Sequence, residues 1–307
     1  MHKKKWYITL FLLMVSLLQF NCSGCGNDND DLNYPGDGEV SQQTTAVTYD
    51  RMAMQEVIQS MPAPVEMAAM VKDSKVPFST KYLQNPKVVN DFASSFKKAL
   101  GLGVLSADLG YLNVYGINSE IVEYLASIRK IAEDLKIGQF FDFSTLKYLA
   151  TSNDNMDSLL IMCVQSYQNM EDYLSKNQRS NLSAAMVTGV WIESLYLLTQ
   201  VAKERPSDDL RDNIGEQKFI LNNLLPILKL FEKDDVNFQK LVQCFEELKD
   251  SFSAVEITVE VGEPETIESN GAFVVVQNDR SVVNMTSEEL QEIIQTTERI
   301  RNKLIAL

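Results

Sequence analysis

From about residue 85 to residue 254, apolar side chains recur at three- and four-residue intervals. Val88, Val89, Phe92, Phe96 and Leu100 fall at that spacing. So do Ile121, Tyr124, Leu125, Ile128, Ile131, Ala132 and Leu135. This spacing lays an apolar stripe along one side of a helix, and the stripe must be covered by another element. Over most of its length the chain can therefore only fold as helices packed on helices.

Capping residues punctuate the pattern. Asn85-Pro86 reads as N-cap and first position of a helix to about Leu100, because proline is preorganised for the first turn. A second helix is expected from Leu102 to Tyr115, between Gly101 and Gly116. A third runs from Asn118 or Ser119 to Gly138, which would cap it. Phe143–Thr151, Asp154–Lys176, Ser180–Glu204, Asp208–Glu232 and Asp234–Ala254 follow. Pro226 lies inside an apolar pattern, so a kink or split is expected near Asn223. No fixed-period repeat is visible, which points to an irregular multi-helix bundle rather than a solenoid.

One stretch departs from helical spacing. Val255–Val261 alternates as Val-Glu-Ile-Thr-Val-Glu-Val, and Ala272–Gln277 is β-branched. These predict a small β-hairpin at about 255–283, with Gly262–Gly271 as a long loop and a short third strand at Val282-Val283. Thr286-Ser287-Glu288-Glu289 then opens the C-terminal helix, with acids in its first turn. The fold class is mostly α, an irregular bundle with a hairpin before the last helix.

The N-terminus reads as a leader. Lys3-Lys4-Lys5 precedes an apolar run from Trp6 to about Phe20, then Cys22-Ser23-Gly24-Cys25. The run falls short of the roughly 20 residues a spanning helix needs, and small residues precede the cut. Residues 1–24 are expected to be a lipoprotein signal, with Cys25 as the acylated, palmitate-bearing residue and Cys22 as the alternative. Residues 25–47 form a polar tether, and 48–307 the folded domain. Asp28, Asp30 and Asp31 resemble the export tag of surface lipoproteins of the Bacteroidota. The expected location is the outer membrane, at the cell surface or else on the periplasmic face.

Composition narrows the chemistry. The only histidine is His2, within the leader. The mature chain thus offers no Ser-His-Asp or Cys-His arrangement, no His-containing zinc site and no proximal-His haem. Cys163 and Cys244 are too few for an all-cysteine metal site, and both read as buried thiols rather than a disulfide. No metal and no cofactor are expected. Losing the three leader lysines leaves 25 basic against 42 acidic residues, a net charge of −17. That excess disfavours nucleic acid, whose phosphates require clustered lysine and arginine. Gly101-Leu-Gly103 lacks the third glycine and the preceding strand of a dinucleotide fingerprint.

Two helices carry an acid among aromatic and small residues. One holds Asp108, Tyr111 and Tyr115; the other holds Trp191, Glu193 and Tyr196. Buried carboxylates have raised pKa values and cluster at functional sites. Asp108 and Glu193 are therefore candidates for a catalytic or ligand-orienting pair, with the four rings as walls of a pocket. The competing reading is structural, an acid bonded to a tyrosine, a helix end or an arginine, with the glycines allowing helices to approach.

The run from Lys97 through Gly101-Leu-Gly103 to Ser106-Ala-Asp108-Leu-Gly-Tyr111, with Gly189-Val-Trp191-Ile-Glu193-Ser-Leu-Tyr196, resembles a group of uncharacterised helical lipoproteins of the Bacteroidota. The likeness spans most of the folded part and brings no activity with it. The expected function is non-catalytic. The protein would be a lipid-anchored surface protein with a binding or structural role, held to the membrane by its acyl chains, with a protein or glycan partner. The alternative is a carboxylate-only hydrolase acting on glycans through Asp108 and Glu193.

Overall fold

The computed structural model describes residues 64–151, 156–269 and 272–306. The segments read as leader and tether, with Cys22 and Cys25, lie outside the described residues. In chain order the helices are α1 (Pro64–Asp73), α2 (Ser95–Val114), α3 (Asn118–Asp134), α4 (Phe143–Thr151) and α5 (Met156–Lys176). They continue with α6 (Ser180–Glu204), α7 (Asp208–Glu232), α8 (Val236–Ser251) and, after the strands, α9 (Ser287–Ala306). Short 3-10 turns sit at Thr80–Tyr82, Pro86–Asp91 and Gly138–Phe140. The protein is a mostly α bundle with a small antiparallel hairpin before its last helix, as its periodicity requires.

The centre of the bundle is α6. It is long and apolar enough to cross a membrane, yet 94% of that stretch is buried inside the protein, which makes it a core helix. Its most extensive partner among the described elements is α2, and α1, α7 and α9 also pack on it. The α2–α6 contact is a glycine crossing. A Cβ added to Gly103 would stand 2.0 Å from the Met186 carbonyl oxygen, and one on Gly189 would stand 2.1 Å from that of Leu100. Only hydrogen fits at either place, so backbone lies on backbone.

This crossing corrects the expected break at Gly101. Helix α2 runs unbroken from Ser95 to Val114, because its glycines face a neighbouring helix rather than end a turn. The Asn85 side chain does cap from its expected place, accepting from the Lys87 N–H at 2.9 Å, but it opens the 3-10 turn Pro86–Asp91. The cap of α2 itself is Ser94, which accepts from the Lys97 N–H at 3.2 Å. Nor does Pro226 split α7, which is continuous from Asp208 to Glu232. Pro226 and Asn222 both lie on the exposed face. The carbonyl that loses its helical partner is that of Asn222, where water can replace it.

Helix α3 ends before Gly138, at Asp134, and Lys136 turns the chain out of it. Lys136 has φ 61°, and the Ile137 N–H reaches the Ala132 carbonyl at 2.9 Å, closing the six-to-one bond of a Schellman motif. Gln178 closes α5 in the same way at φ 56°, whereas α2 uses Gly116 at φ 68°. A side chain in this region costs about 1–2 kcal/mol, partly offset by the lower unfolded-state entropy of a non-glycine residue. Lys136→Gly is therefore expected to raise stability by about 0.5–1 kcal/mol in urea denaturation. An unchanged or lowered midpoint would contradict this account of the helix end.

The strand pairing also differs from expectation. β1 (Glu256–Glu260) pairs with β4 (Arg280–Asn284), and β2 (Glu265–Ser269) pairs antiparallel with β3 (Ala272–Val276). The segment read as a loop thus contains a strand. Ser269 opposes Ala272, which leaves only Asn270-Gly271 between β2 and β3, the sequence signal of a two-residue hairpin. Glutamates at 263, 265 and 268 disguised β2, since acids are depleted in strands. Residues Val259–Arg280 belong to a different compact unit from the helices. Within it the Gln277 amide donates to the Gly262 carbonyl at 2.7 Å, and the Asn278 amide to that of Glu263 at 3.0 Å. In the helical unit, Thr286 and Glu289 form a reciprocal capping box at the start of α9.

The two thiols are free and differ in setting. Cys244 is buried in α8, but Cys163 is exposed on α5 beside exposed Ile161 and Val164, which corrects the expectation that both are buried.

Candidate functional site

The glycine crossing fixes where the two acids meet. Gly189 lies against Leu100 and Val104, and one turn beyond, on each helix, stand Glu193 and Asp108. Both are fully buried, and their carboxyl groups are within hydrogen-bonding reach of each other. The structure thus brings together the pair that the sequence singled out, and it adds a third member. Arg301 of α9 donates from Nε to Glu193 Oε2 at 2.7 Å and from Nη2 to Oε1 at 2.6 Å. This bidentate fork is the strongest geometry available to an arginine and a carboxylate. The guanidinium also lies over the Tyr196 ring, 4.5 Å from its centroid.

Asp108 Oδ2 accepts from the backbone N–H of Gln84 at 3.0 Å, while no donor reaches Oδ1. Two carboxyl groups can bond to each other only with a proton between them. Burial, and next the charge of Glu193, push Asp108 well above the usual carboxylate range, so it carries that proton. Burial raises Glu193 too, against the opposing pull of Arg301. Neutral Asp108, anionic Glu193 and cationic Arg301 make a set with no net charge, which is how a core tolerates ions.

A pH effect follows from the raised value. Unfolding exposes Asp108 to water, where its value falls to about 3.9. The stability conferred by neutral Asp108 is complete below that pH and is lost as pH climbs toward the folded value, by up to about 1.4 kcal/mol per unit. Asp108→Asn keeps a carbonyl for Gln84 and an N–H for Glu193, and it does not titrate. Its melting temperature is expected to match wild type near pH 4 and to exceed it progressively up to pH 8. Parallel curves for the two proteins would show that Asp108 does not hold the proton.

The four rings do not share one pocket. Tyr111 and Trp191 are buried. What occupies the acid-and-aromatic face of α2 is the chain itself. Asp108, Tyr111 and Tyr115 lie one above another and grip the strap of residues 76–85. The Tyr115 hydroxyl donates to the Val76 carbonyl at 2.7 Å, and the Ser79 N–H donates to the Tyr111 oxygen at 3.1 Å. Phe78 of the strap stacks on Tyr111 at 5.4 Å. Tyr124 of α3 donates to the Gln84 carbonyl at 2.6 Å, so both backbone groups of Gln84 are satisfied by side chains. Trp191 stands elsewhere, donating to Gln217 at 3.0 Å and packing on Phe245.

Of the six candidate binding residues, then, Asp108 and Glu193 meet, and Tyr196 joins them through Arg301. Tyr111 and Tyr115 hold the strap, and Trp191 belongs to a separate part of the core. The residue missed was Arg301. It stands in the buried stripe Ile293, Thr297, Arg301 and Leu304, and a charge within an apolar stripe was the available signal. Among the described residues no group of three His, Cys, Asp or Glu side chains could hold a metal ion. No protein-family model, curated protein or solved structure matches the chain.

Proposed function

We propose that this chain is a non-catalytic, lipid-anchored protein of the outer membrane, exposed at the cell surface, with a binding role. The observation that carries the non-catalytic part is the burial of both acids. A carboxylate-only glycosidase needs its two carboxyl groups on either side of an open cleft. Here they face each other, Arg301 and the chain's own backbone, with no exposed surface on either. The anchor rests on Lys3-Lys4-Lys5, the short apolar run and Ser23-Gly24-Cys25. The acidic balance supports a soluble, exposed body and argues against anionic lipid or nucleic acid as its contact.

The test is metabolic labelling with a palmitate analogue, followed by proteinase K treatment of intact cells. Wild type is expected to carry label and to be digested, and Cys25→Ala to lose the label while Cys22→Ala keeps it. Loss of label with Cys22→Ala alone would move the acylation site. An unlabelled wild type would overturn the anchor, and full protection from protease would place the protein on the periplasmic face.

A further inference from the structure

The strap gripped by α2 builds one wall of a second feature. Its 3-10 turn presents Lys81 and Tyr82 toward the last turns of α6 and toward α9, bordering a solvent-open cavity of about 340 Å³. Tyr196, bearing Arg301 on its ring, lines it from α6. The size lies at the small end of ligand pockets and fits a metabolite.

Two observations give the cavity its chemistry. The first is an orphan. Gln200 is 7% exposed and lines the cavity, and its amide nitrogen Nε2 is buried without a hydrogen-bond partner. Such a donor costs free energy unless something accepts from it. The second is the charge pattern at the rim, where Lys81 pairs with Glu204 and Lys203 pairs with Glu298 at 2.9 Å. Two cations and two anions leave the lining neutral overall. An anionic ligand would face the two glutamates uncompensated, and a cationic one the two lysines. A molecule carrying both charges can exchange each ion pair for one of its own, with no net change in paired charge.

We infer that this cavity binds a small zwitterion of the α-amino acid class. Its carboxylate accepts from the Gln200 amide and a rim lysine, and its ammonium donates to Glu204 or Glu298. The two tyrosines give the rest of the molecule an apolar wall. This deepens the reading of an anchored binding protein and rests on its binding part. Palmitate labelling tests the anchor alone, so either reading can fail without the other.

The experiment is thermal-shift screening of the purified protein against the twenty free L-amino acids and Ala-Ala, with maltose and inorganic phosphate for comparison. Hits are then titrated by calorimetry. At least one zwitterion is expected to bind saturably, and its N-acetyl and C-amide derivatives to bind at least tenfold more weakly. Gln200→Leu removes the orphan donor at similar size. It is expected to melt no lower than wild type and to lose at least tenfold in affinity. Lys203→Gln changes an exposed side chain, so its fold is safe, and it is expected to weaken binding similarly. The inference is overturned if no amino acid or Ala-Ala binds, if the blocked derivatives bind equally, if only maltose or phosphate binds, or if Gln200→Leu retains full affinity.

Discussion

Replacing Arg301 by alanine is expected to lower stability by about 3–5 kcal/mol, the usual effect of removing one partner from a buried ion pair. In a domain of this size that is a fall in melting temperature of roughly 6–20 °C. The cause is not loss of attraction alone. Glu193 would remain in the core without the fork that neutralises it, beside an acid already raised by burial. Tyr196 would also lose the cation over its ring. The double variant Glu193→Gln with Arg301→Met leaves no buried charge and fills much of the same volume. It should recover most of the loss, giving a coupling energy of at least about 2 kcal/mol in a double-mutant cycle. If Arg301→Ala melts within about 1 kcal/mol of wild type, the three residues do not act as one neutral set. The same experiment bears on chemistry. A hydrolase would lose turnover in Asp108→Asn, whereas a structural set should yield a protein at least as stable.

Gly103→Ala is expected to cost about 3 kcal/mol or more, at the upper end of overpacking. Alanine is the better helix former by nearly 1 kcal/mol, so intrinsic propensity alone would make the variant more stable. Sterics reverse that sign. The new methyl group would meet the Met186 carbonyl oxygen at 2.0 Å and the Val190 nitrogen at 2.6 Å, and both are backbone atoms that cannot rotate away. The helices would have to part, and Asp108 and Glu193, one turn beyond the contact, would part with them. Gly101→Ala is the control. Its Cβ meets the Phe92 ring edge at 2.2 Å, the far end of a side chain that can swing aside. It should fall within about 1 kcal/mol of wild type. Equal effects for the two alanines, measured by denaturant titration, would show that the crossing is not the constraint.

Most of the architecture was legible in the residue pattern because burying an amphipathic helix is a local requirement. Spacing and capping residues placed α6 and α7 at their observed bounds, and α4 as well. The errors share one cause, an ambiguous residue decided by its tertiary surroundings. Gly101 and Gly103 could end a helix or admit a neighbour, and the neighbouring backbone of α6 decides for the second. Pro226 could break α7, but the carbonyl it strands faces solvent. Lys136 takes the left-handed position that glycine usually fills. Glu265 and Glu268 read as loop, yet the register across Asn270-Gly271 makes them strand.

The candidate site divides along the same line. The sequence by itself determined that histidine is confined to position 2, that the charge balance is strongly acidic, and that two acids would lie among apolar residues on separate helices. It determined that these acids would need partners, because burial of a charge demands one. Which partners they have was decided only by the tertiary structure. Arg301 lies 108 residues from Glu193, and Gln84 lies 24 from Asp108. Of the tyrosines that looked like pocket walls, Tyr111 and Tyr115 hold a strap from the same chain, and Tyr196 lines the cavity beyond it. Helical periodicity is a property of neighbours in sequence, whereas neutralising a buried charge or filling a pocket depends on groups that only the packing of distant helices brings within reach.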